Sequence, residues 1–479
     1  MLNEVRQDKI KKLNNFIQKG INPFPAKAFE KEPAREVMEK SEGEKAQIAG
    51  RIMLFRVMGN ITFLQLQDES GKIQAVLNKK ELGEDYKFWA KNLDLGDFVG
   101  IEGERFNTQK GEKSVLAKKI TLLAKSILPL PDKHKNIQDE EEKLRKRYLD
   151  ILFNPEIKEM IYRKDLFWSA TRNFLKNKGF VEVETPVLEV SAGGADANPF
   201  VTHQKALDLD VYLRISMGEL WQKRLMVAGL EKTFEIGRQF RNEGMDSEHL
   251  QDYTQMEFYW AYADYQKGME MVKELFQKVA NETFGTLKFK IRGFDVDLGG
   301  AWETYDYVET IKKMTEVDIT KATKEEIEKK LKELKIKYDS KGFNQARAID
   351  NLWKFCRKQI AGPGFLINEP VAVSPLAKKK EDNPELVERF HVIIAGSELG
   401  NGYSELNDPL DQAQRFQVQQ KLREAGDEEA QMFDQDFVEA LEYGMPPTFG
   451  FGMSERVFSF LMDKSMRECQ IFPLMKPKK

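Results

Sequence analysis

Phe240-Arg241-Asn242-Glu243, a short polar loop, and then Tyr253-Thr254-Gln255-Met256-Glu257-Phe258-Tyr259 carry the densest chemistry in the chain. Successive side chains of a strand alternate faces. Read as a strand, 253–259 puts Tyr253, Gln255, Glu257 and Tyr259 on one face. Thr254, Met256, Phe258 and then Trp260 share the other, which is mostly apolar and suits a core. Two tyrosines around a glutamate decorate the first face too heavily for a solvated surface, so it reads as the wall of a site. Arg241 stands at the entrance, at the end of an apolar-alternating strand over 233–240. A guanidinium there suits two-pronged recognition of phosphate or carboxylate. Taken alone, Arg241-Asn242-Glu243 would equally be a surface ion pair.

A second polar ladder lies downstream. Asn401, Tyr403 and Glu405 sit at i, i+2 and i+4 and face one way. Gly400 and Gly402 remove side chains around Asn401 and let a ligand approach the backbone. Glu398 lies nearer the strand entrance, where a carboxylate can hold Mg²⁺ bridging phosphates. The plainer reading is an edge strand with a wet face, and two such ladders in one chain weigh against it. A third piece is Gly450-Phe451-Gly452-Met453-Ser454-Glu455-Arg456 before an apolar helix at 457–462. Glycines before a helix would expose backbone N–H groups and the positive end of its dipole to an anion, with Arg456 adding a full charge. Gly193-Gly194-Ala195 is a loop able to close on a ligand, and Gly179 to Pro186 ends a strand in Thr-Pro. On local grounds alone both are structural.

The chain has 479 residues, enough for two or three domains. With 75 basic and 78 acidic residues the net charge is −3, which excludes a generically basic nucleic-acid coat and permits local basic patches. Only Cys356 and Cys469 are present, too few for a disulfide framework or a cysteine zinc cluster. The N-terminus has no apolar signal core, and no apolar run approaches the roughly 20 residues that span a bilayer. These features point to a cytoplasmic protein with no membrane partner.

Residues 4–19 predict a helix from the spacing of Ile10, Leu13, Phe16 and Ile17, stopped by Gly20. Within 46–125, five short alternating strands separated by turns predict a small barrel of the OB type. In 61–67, Leu64 and Leu66 face the core, and Phe63 shares the outer face with Gln65 and Gln67. A phenylalanine among glutamines is a candidate base-stacking platform, with Arg56 and Gln74 as nearby hydrogen-bonding groups. Packing of Phe63 against another domain is the alternative. Beyond about 140 the strands come in adjacent blocks, which favours an antiparallel sheet flanked by helices. Helices are expected at 140–152 and 157–178. Residues 305–362 read as an inserted helical module opened by the capping box Thr323-Lys324-Glu325-Glu326. The expected organisation is α+β: an N-terminal helical extension (1–45), a five-stranded OB-fold (46–130), a linker (131–150) and a larger domain (151–479).

In order, these pieces resemble the class II aminoacyl-tRNA synthetases of the aspartate, asparagine and lysine subgroup. Gly179-Phe180-Val181-Glu182-Val183-Glu184-Thr185-Pro186, Phe240 to Glu243 with its return strand, and Gly450 to Arg456 look like their three motifs. Leu128 to Lys133, Arg147 to Asp150, Ala206 to Asp210, Val373 to Ala377, Gly400 to Asp408 and Phe472 to Pro477 resemble the lysyl-tRNA synthetases. The resemblance implies a lysine–tRNA ligase working through lysyl-adenylate, with Mg²⁺ as cofactor, ATP, lysine and tRNA(Lys) as partners, and a homodimer through the 157–186 helix-strand motif. Arg241 and Arg456 would be catalytic. Arg241, Glu243, Tyr253, Glu398 and Arg456 would bind ATP. Gly194, Glu219, Glu257, Tyr259, Asn401, Tyr403 and Glu405 would bind lysine. Arg56, Phe63 and Gln74 would read the anticodon, and Glu398 would hold metal. His391 stands where the family usually carries a second metal-binding glutamate, and Glu248 where a basic residue commonly meets the γ-phosphate. Residue chemistry adds its own support, because Glu257 and Glu405 suit a desolvated ammonium, whereas an aspartate pocket would need a cation there. Three other readings share parts of this pattern: a tRNA-independent lysine ligase that modifies a protein, an aspartyl or asparaginyl relative, and a synthetase-like binding protein with weakened catalysis.

Overall fold

The computed structural model describes residues 2–131, 139–338, 343, 345–426 and 430–478. They fall into two compact units, Met1–Gln138 and Asp139–Lys479.

The first unit is built on β1 (Lys45–Met58), β2 (Ile61–Gln67), β3 (Lys72–Asn78), β4 (Phe98–Asn107) and β5 (Lys113–Ala124). They close a barrel in the order β1-β2-β3-β5-β4. Closure depends on the length of β1. Its first half pairs with β4 through 45–51, and its second half pairs with β2 through 51–58. A bulge between Ile52 and Leu54 bends the strand where it changes partner. Leu64 and Leu66 are buried inside, as their alternation requires. The helix Leu2–Gln18 packs Phe16 against Phe88 and Trp89, while Ile17, counted as part of its apolar face, is exposed. Phe88 and Trp89 belong to a short helix, Asp85–Asn92, that the strand-rich reading of 46–125 did not contain.

The second unit is an eight-stranded sheet flanked by helices. Its strands are β6 (Val181–Glu182), β10 (Lys232–Phe240), β11 (Asp252–Ala261), β14 (Glu303–Asp306), β15 (Gly364–Ile367), β16 (Arg389–Ile394), β17 (Ser397–Ser404) and β18 (Thr448–Ser454). Two small sheets hold the rest: β7 (Leu188–Glu189), β8 (Val201–Gln204) and β9 (Leu209–Leu213) in one, β12 (Lys288–Ile291) and β13 (Phe294–Asp297) in the other. The main order is β14-β15-β16-β17-β18-β11-β10-β6. All pairs in it are antiparallel except β14 with β15 and β6 with β10. One face is sealed by Phe258, Phe390, Phe449 and Phe451, all buried. The helices Pro155–Asn177 and Tyr265–Phe284 join that core through Phe167, Phe174, Leu275 and Phe276. The opposite face is left to the site.

Parallel strands cannot be joined by a tight turn and need a crossover. The segment between β14 and β15 supplies it as three helices, Tyr307–Thr315, Lys324–Glu333 and Gln345–Arg357. They share a small core that includes Ile311, Ile327, Leu331, Leu352 and Trp353. The Thr323/Glu326 capping box is formed. The expected module at 305–362 is thus the crossover that adds two strands to the sheet. The expected single helix at 140–152 is two, Glu140–Arg145 and Arg147–Phe153, broken at Lys146. Burial of the Arg147–Asp150 ion pair (2.8 Å) favours this break. Of the expected linker, 132–138 lie outside the described residues, and the helical part from Asp139 belongs to the second unit.

Candidate active site

The open face of the large sheet carries a cleft of about 540 Å³. Its shape comes from β18, which lies between β11 and β17. In register, Gly450 stands between Tyr259 and Tyr403, and Gly452 between Glu257 and Asn401. The neighbouring strands raise long side chains where β18 raises none. A Cβ on Gly450 would overlap Glu405 Oε1 and come within 2.7 Å of the Tyr259 ring. The glycines therefore form the floor of a trough between two polar walls, while Phe449 and Phe451 point into the core. The expectation that these glycines precede a helix and present its N-terminus is corrected. They lie mid-strand, and the helix Arg456–Leu461 starts later and is short.

Both ladders reach the trough. Tyr253, Gln255, Glu257 and Tyr259 line it from β11, and Asn401, Tyr403 and Glu405 line it from β17 and its end. Glu398 lines it too, although strict alternation would turn an even-numbered residue away from Asn401. The register between β16 and β17 shifts between Val392 and Ile393, so this bulge brings Glu398 round to the open face.

The closed end gathers carboxylates. Glu257, Glu405 and Glu219 are all buried. Glu257 Oε1 accepts from Met217 N at 3.0 Å and Gln255 Nε2 at 2.6 Å, and its Oε2 accepts from Tyr259 OH at 3.0 Å. Burial, then the nearby Glu219 charge, push the Glu257 carboxyl up to about 7. Burial pushes Glu405 far above its ordinary range, with Lys223 pulling the other way. Burial also raises the Tyr259 and Tyr403 hydroxyls, so both stay protonated donors. Tyr403 OH donates to Glu219 Oε1. Gly194, at φ +86°, closes the wall where a Cβ would meet Ser216 Oγ at 2.5 Å and Glu219 Cβ at 2.8 Å.

Lys223 completes this end and was not singled out from sequence. Its side chain is wholly buried, with Nζ 2.6 Å from Glu219 Oε1 and 2.5 Å from Glu405 Oε2. Burial would discharge it, but the two glutamates outweigh burial and raise its pKa. The contact with Glu405 is an ion pair without hydrogen-bond geometry, and both Glu405 oxygens are buried without a hydrogen-bond partner among the described residues. Glu219-x-x-x-Lys223 in sequence looks like an ordinary surface pair on a helix. Only the fold turns it inward.

The other end is cationic. Arg241 follows β10, donates from Nε to Ile215 O at 3.3 Å, and lies 6.0 Å from the centre of the Tyr253 ring. Arg456 donates to Glu398 O and lies 3.7 Å from Glu248, which also pairs with Arg292. Arg389, another cleft residue unremarked in the sequence, binds Asn401 Oδ1 at 2.9 Å and Glu369 at 3.2 Å. Although burial opposes it, His391, Arg357 and a Trp353 hydrogen bond hold the Glu398 carboxyl at about 2. Glu243 does not join the site. It is exposed, does not line the cleft, and its carboxylate lies 3.4 Å from Asn198 N.

Residues 139–476 match the family model of the class II tRNA synthetases (D, K and N). The chain belongs to that family. Residues 46–123 of this synthetase match the OB-fold nucleic acid binding domain. Its relatives are similar end to end. A Thermotoga maritima protein named lysine–tRNA ligase is 42% identical over 492 residues, covering 100% of this chain and 97% of its own length. Proteins of the same name from Thermoanaerobacter sp. (strain X514) and Moorella thermoacetica are 43% and 41% identical, covering 100% and 99% of the chain and 97% and 98% of their own lengths.

In the synthetase's first unit, taken by itself, Arg56 lies directly opposite Phe63 across β1 and β2, and Gln74 lies opposite Gln65 across β2 and β3. Opposed residues share a face, so Arg56, Phe63, Gln65 and Gln74 form one outer patch. Phe63 is half-buried and Arg56 exposed, while Gln74 is tied to Ser114 Oγ at 2.9 Å. No described helix is long and apolar enough to cross a membrane.

Proposed function

We propose that this synthetase is a lysine–tRNA ligase of the cytoplasm. It joins lysine to ATP as lysyl-adenylate and passes the lysyl group to the 3′-terminal ribose of tRNA(Lys). The observation that carries this reading is the closed end of the trough. Three buried carboxylates face one buried lysine, which leaves that end short of positive charge. A substrate ammonium supplies it, as a desolvated cation requires. Full-length similarity to proteins named lysine–tRNA ligase supports the same conclusion.

In this reading Glu257, Tyr259, Asn401, Tyr403 and Glu405 hold the lysine side chain, and Glu219 with Gly194 takes the α-amino group. The substrate carboxylate then lies toward Arg241, ready to attack the α-phosphorus in line as pyrophosphate leaves. Arg241 and Arg456 stabilise charge that spreads over the phosphoryl oxygens, so catalysis is positional and electrostatic. Tyr253 stacks on the adenine. Mg²⁺ fits one place, where Glu398 Oε2 carries no hydrogen bond from Trp353 or Arg357; with the ATP phosphates as further ligands it would supply charge neutralisation. Phe63, Arg56 and Gln74 bind an anticodon base. Tyr162, Leu166 and Val181 on the 157–186 motif, and Val187 and Leu188 just after it, are exposed apolar side chains, which suits a homodimer through this motif.

ATP–pyrophosphate exchange with lysine, aspartate and asparagine in turn tests this. Exchange is expected with lysine alone. Arg241→Ala should lower it by more than about tenfold, or 1.4 kcal/mol. Phe63→Ala should leave exchange intact and weaken tRNA charging. Exchange with aspartate, or charging indifferent to the anticodon, would overturn the assignment.

A further inference from the structure

At the cationic end, acidic and basic groups alternate along one line: Arg389, Glu369, His391, Glu398, Arg357. Arg389 Nε is 3.2 Å from Glu369 Oε2, which is 3.2 Å from His391 Nε2. His391 Nδ1 is 3.9 Å from Glu398 Oε2, and Arg357 Nη1 is 3.0 Å from Glu398 Oε1. Trp353 Nε1 donates to that same Oε1 at 2.6 Å. Each carboxylate in the row lies between an arginine and the His391 ring. Mg²⁺ takes oxygen ligands in near-octahedral geometry, and an imidazole is a poor choice for it. His391 contributes nitrogen, and its Nε2 is turned to Glu369. Among the described residues no three His, Cys, Asp or Glu side chains form a metal-holding group. The residues present therefore do not fit a second, protein-held divalent ion beside Glu398.

Arg357 occupies Glu398 Oε1, the oxygen that Trp353 also binds, and so removes it as a ligand for such an ion. It is the last residue of the helix Gln345–Arg357, so the crossover module between β14 and β15 delivers it to the cleft. Trp353 sits one turn earlier, buried in the module's own core, and fixes the same carboxylate. Two donors one turn apart on a packed helix hold Glu398 more rigidly than a mobile surface arginine could.

We infer that Arg357 is the fixed cation of the phosphate end, standing in for a second divalent ion, so that the only metal the site uses is the one bound with the nucleotide. The inference rests on the lysine–tRNA ligase reading. It gives the helical module a chemical role, since the module then brings to the polyphosphate a guanidinium that cannot dissociate and cannot lose its proton.

The test counts metal directly. The full-length protein is loaded with lysine and a non-hydrolysable ATP analogue, and Mn²⁺ is titrated with bound metal read by electron paramagnetic resonance. One tight Mn²⁺ per chain is expected, and two or more overturn the inference. Arg357→Ala should weaken analogue binding by about tenfold, the scale of a lost charge-assisted hydrogen bond. Arg357→Lys should restore part of it, and lysine binding without nucleotide should stay within about twofold, since Arg357 does not touch that end. Analogue binding unchanged in Arg357→Ala overturns the role given to Arg357, even with one Mn²⁺ bound. The variant Arg357→Ala, His391→Glu should gain a second Mn²⁺. Lysine-dependent exchange by the wild type is measured alongside. Its absence would refute the ligase reading, whereas a wrong metal count with exchange intact refutes only this inference.

Discussion

The carboxylates at the closed end make lysine binding a proton-linked event, and lowering the pH from 7.5 to 6 is the perturbation that exposes it. The Glu257 carboxyl is pushed up to about 7, first by burial and then by Glu219. At pH 6 such a group is about one-tenth ionised, and at pH 7.5 about three-quarters. A substrate ammonium needs the ionised form, so lysine affinity should fall about eightfold over this range, or ~1.2 kcal/mol. Other groups facing Glu257 set the background. Tyr259 and Tyr403 remain protonated donors, Lys223 remains charged, and burial pushes Glu405 far above its ordinary range. Calorimetry in two buffers of different ionisation heat counts the protons. About one or more should be released per lysine bound at pH 6, fewer at pH 7.5. Stability carries the same sign. Between about pH 4.5 and 7 the native chain keeps a proton that the unfolded chain has lost, so stability declines as pH rises through this window and then levels. The total is roughly 3 kcal/mol. Glu257→Gln should remove this one proton's share of the stability slope and flatten the affinity profile. A wild-type dissociation constant that does not change between pH 6 and 7.5, with no proton released, would refute the assignment of a substrate ammonium to this carboxylate.

Lys223→Met leaves Glu219 and Glu405 without their buried cation and should cost about 3–5 kcal/mol in urea unfolding at pH 7.5. The cost should shrink at pH 5, where Glu405, pushed far up by burial, keeps its proton, and a pH-independent loss would mean simple repacking. Gly450→Ala should destabilise by about 1–3 kcal/mol and lower lysine-dependent exchange about a hundredfold, because its Cβ takes the space of the Glu405 carboxylate. At Gly452 the nearest atom to an added Cβ is Glu257 Cγ at 3.1 Å, so Gly452→Ala should do much less, and equal effects would contradict the trough geometry. Glu248→Gln removes the charge beside Arg456 and should tighten binding of an ATP analogue about threefold to tenfold, by ~1 kcal/mol. Weaker binding would instead make Glu248 part of the nucleotide site.

Much of the site was legible because a strand's period of two survives into the sheet. Tyr253, Gln255, Glu257 and Tyr259 came out on one face, as did Asn401, Tyr403 and Glu405, since both strands lie in a sheet with one aromatic face and one open face. What the sequence hid depends on relations between distant segments. Gly450 and Gly452 gain meaning only beside Tyr259, Tyr403 and Glu257. Glu398 faces the cleft through a bulge, and a bulge has no period. Lys223 resembles any helix-surface lysine until the helix Glu219–Val227 is seen to pack with that side inward. Arg357 lies 41 positions before Glu398, and only the β14–β15 crossover brings them together. The helix Asp85–Asn92 was missed because one short helix among strands leaves little periodic signal.

The two ends of the cleft meet the same physical problem in opposite ways. Buried like charges must be neutralised or paired. A carboxylate can be neutralised by taking a proton, and burial pushes Glu257 and Glu405 toward that form, while Lys223 pairs with Glu219 and Glu405. A guanidinium cannot discharge near neutral pH, so Arg357, Arg389 and Arg456 must each be met by a carboxylate, and Glu398, Glu369 and Glu248 lie against them. The ends should then respond to their ligands differently. An ammonium arriving at the closed end displaces protons, which makes that step sensitive to pH. A polyphosphate arriving at the open end competes with carboxylates already in place, which makes that step sensitive to which internal ion pairs open. Arg456 has the longest of these carboxylate contacts, 3.7 Å to Glu248 against 3.0 and 3.2 Å for Arg357 and Arg389, so turning it means giving up its hydrogen bond to the Glu398 carbonyl and no close carboxylate pair. Arg456 can therefore turn to the nucleotide while Arg357 and Arg389 stay as fixed charge around it.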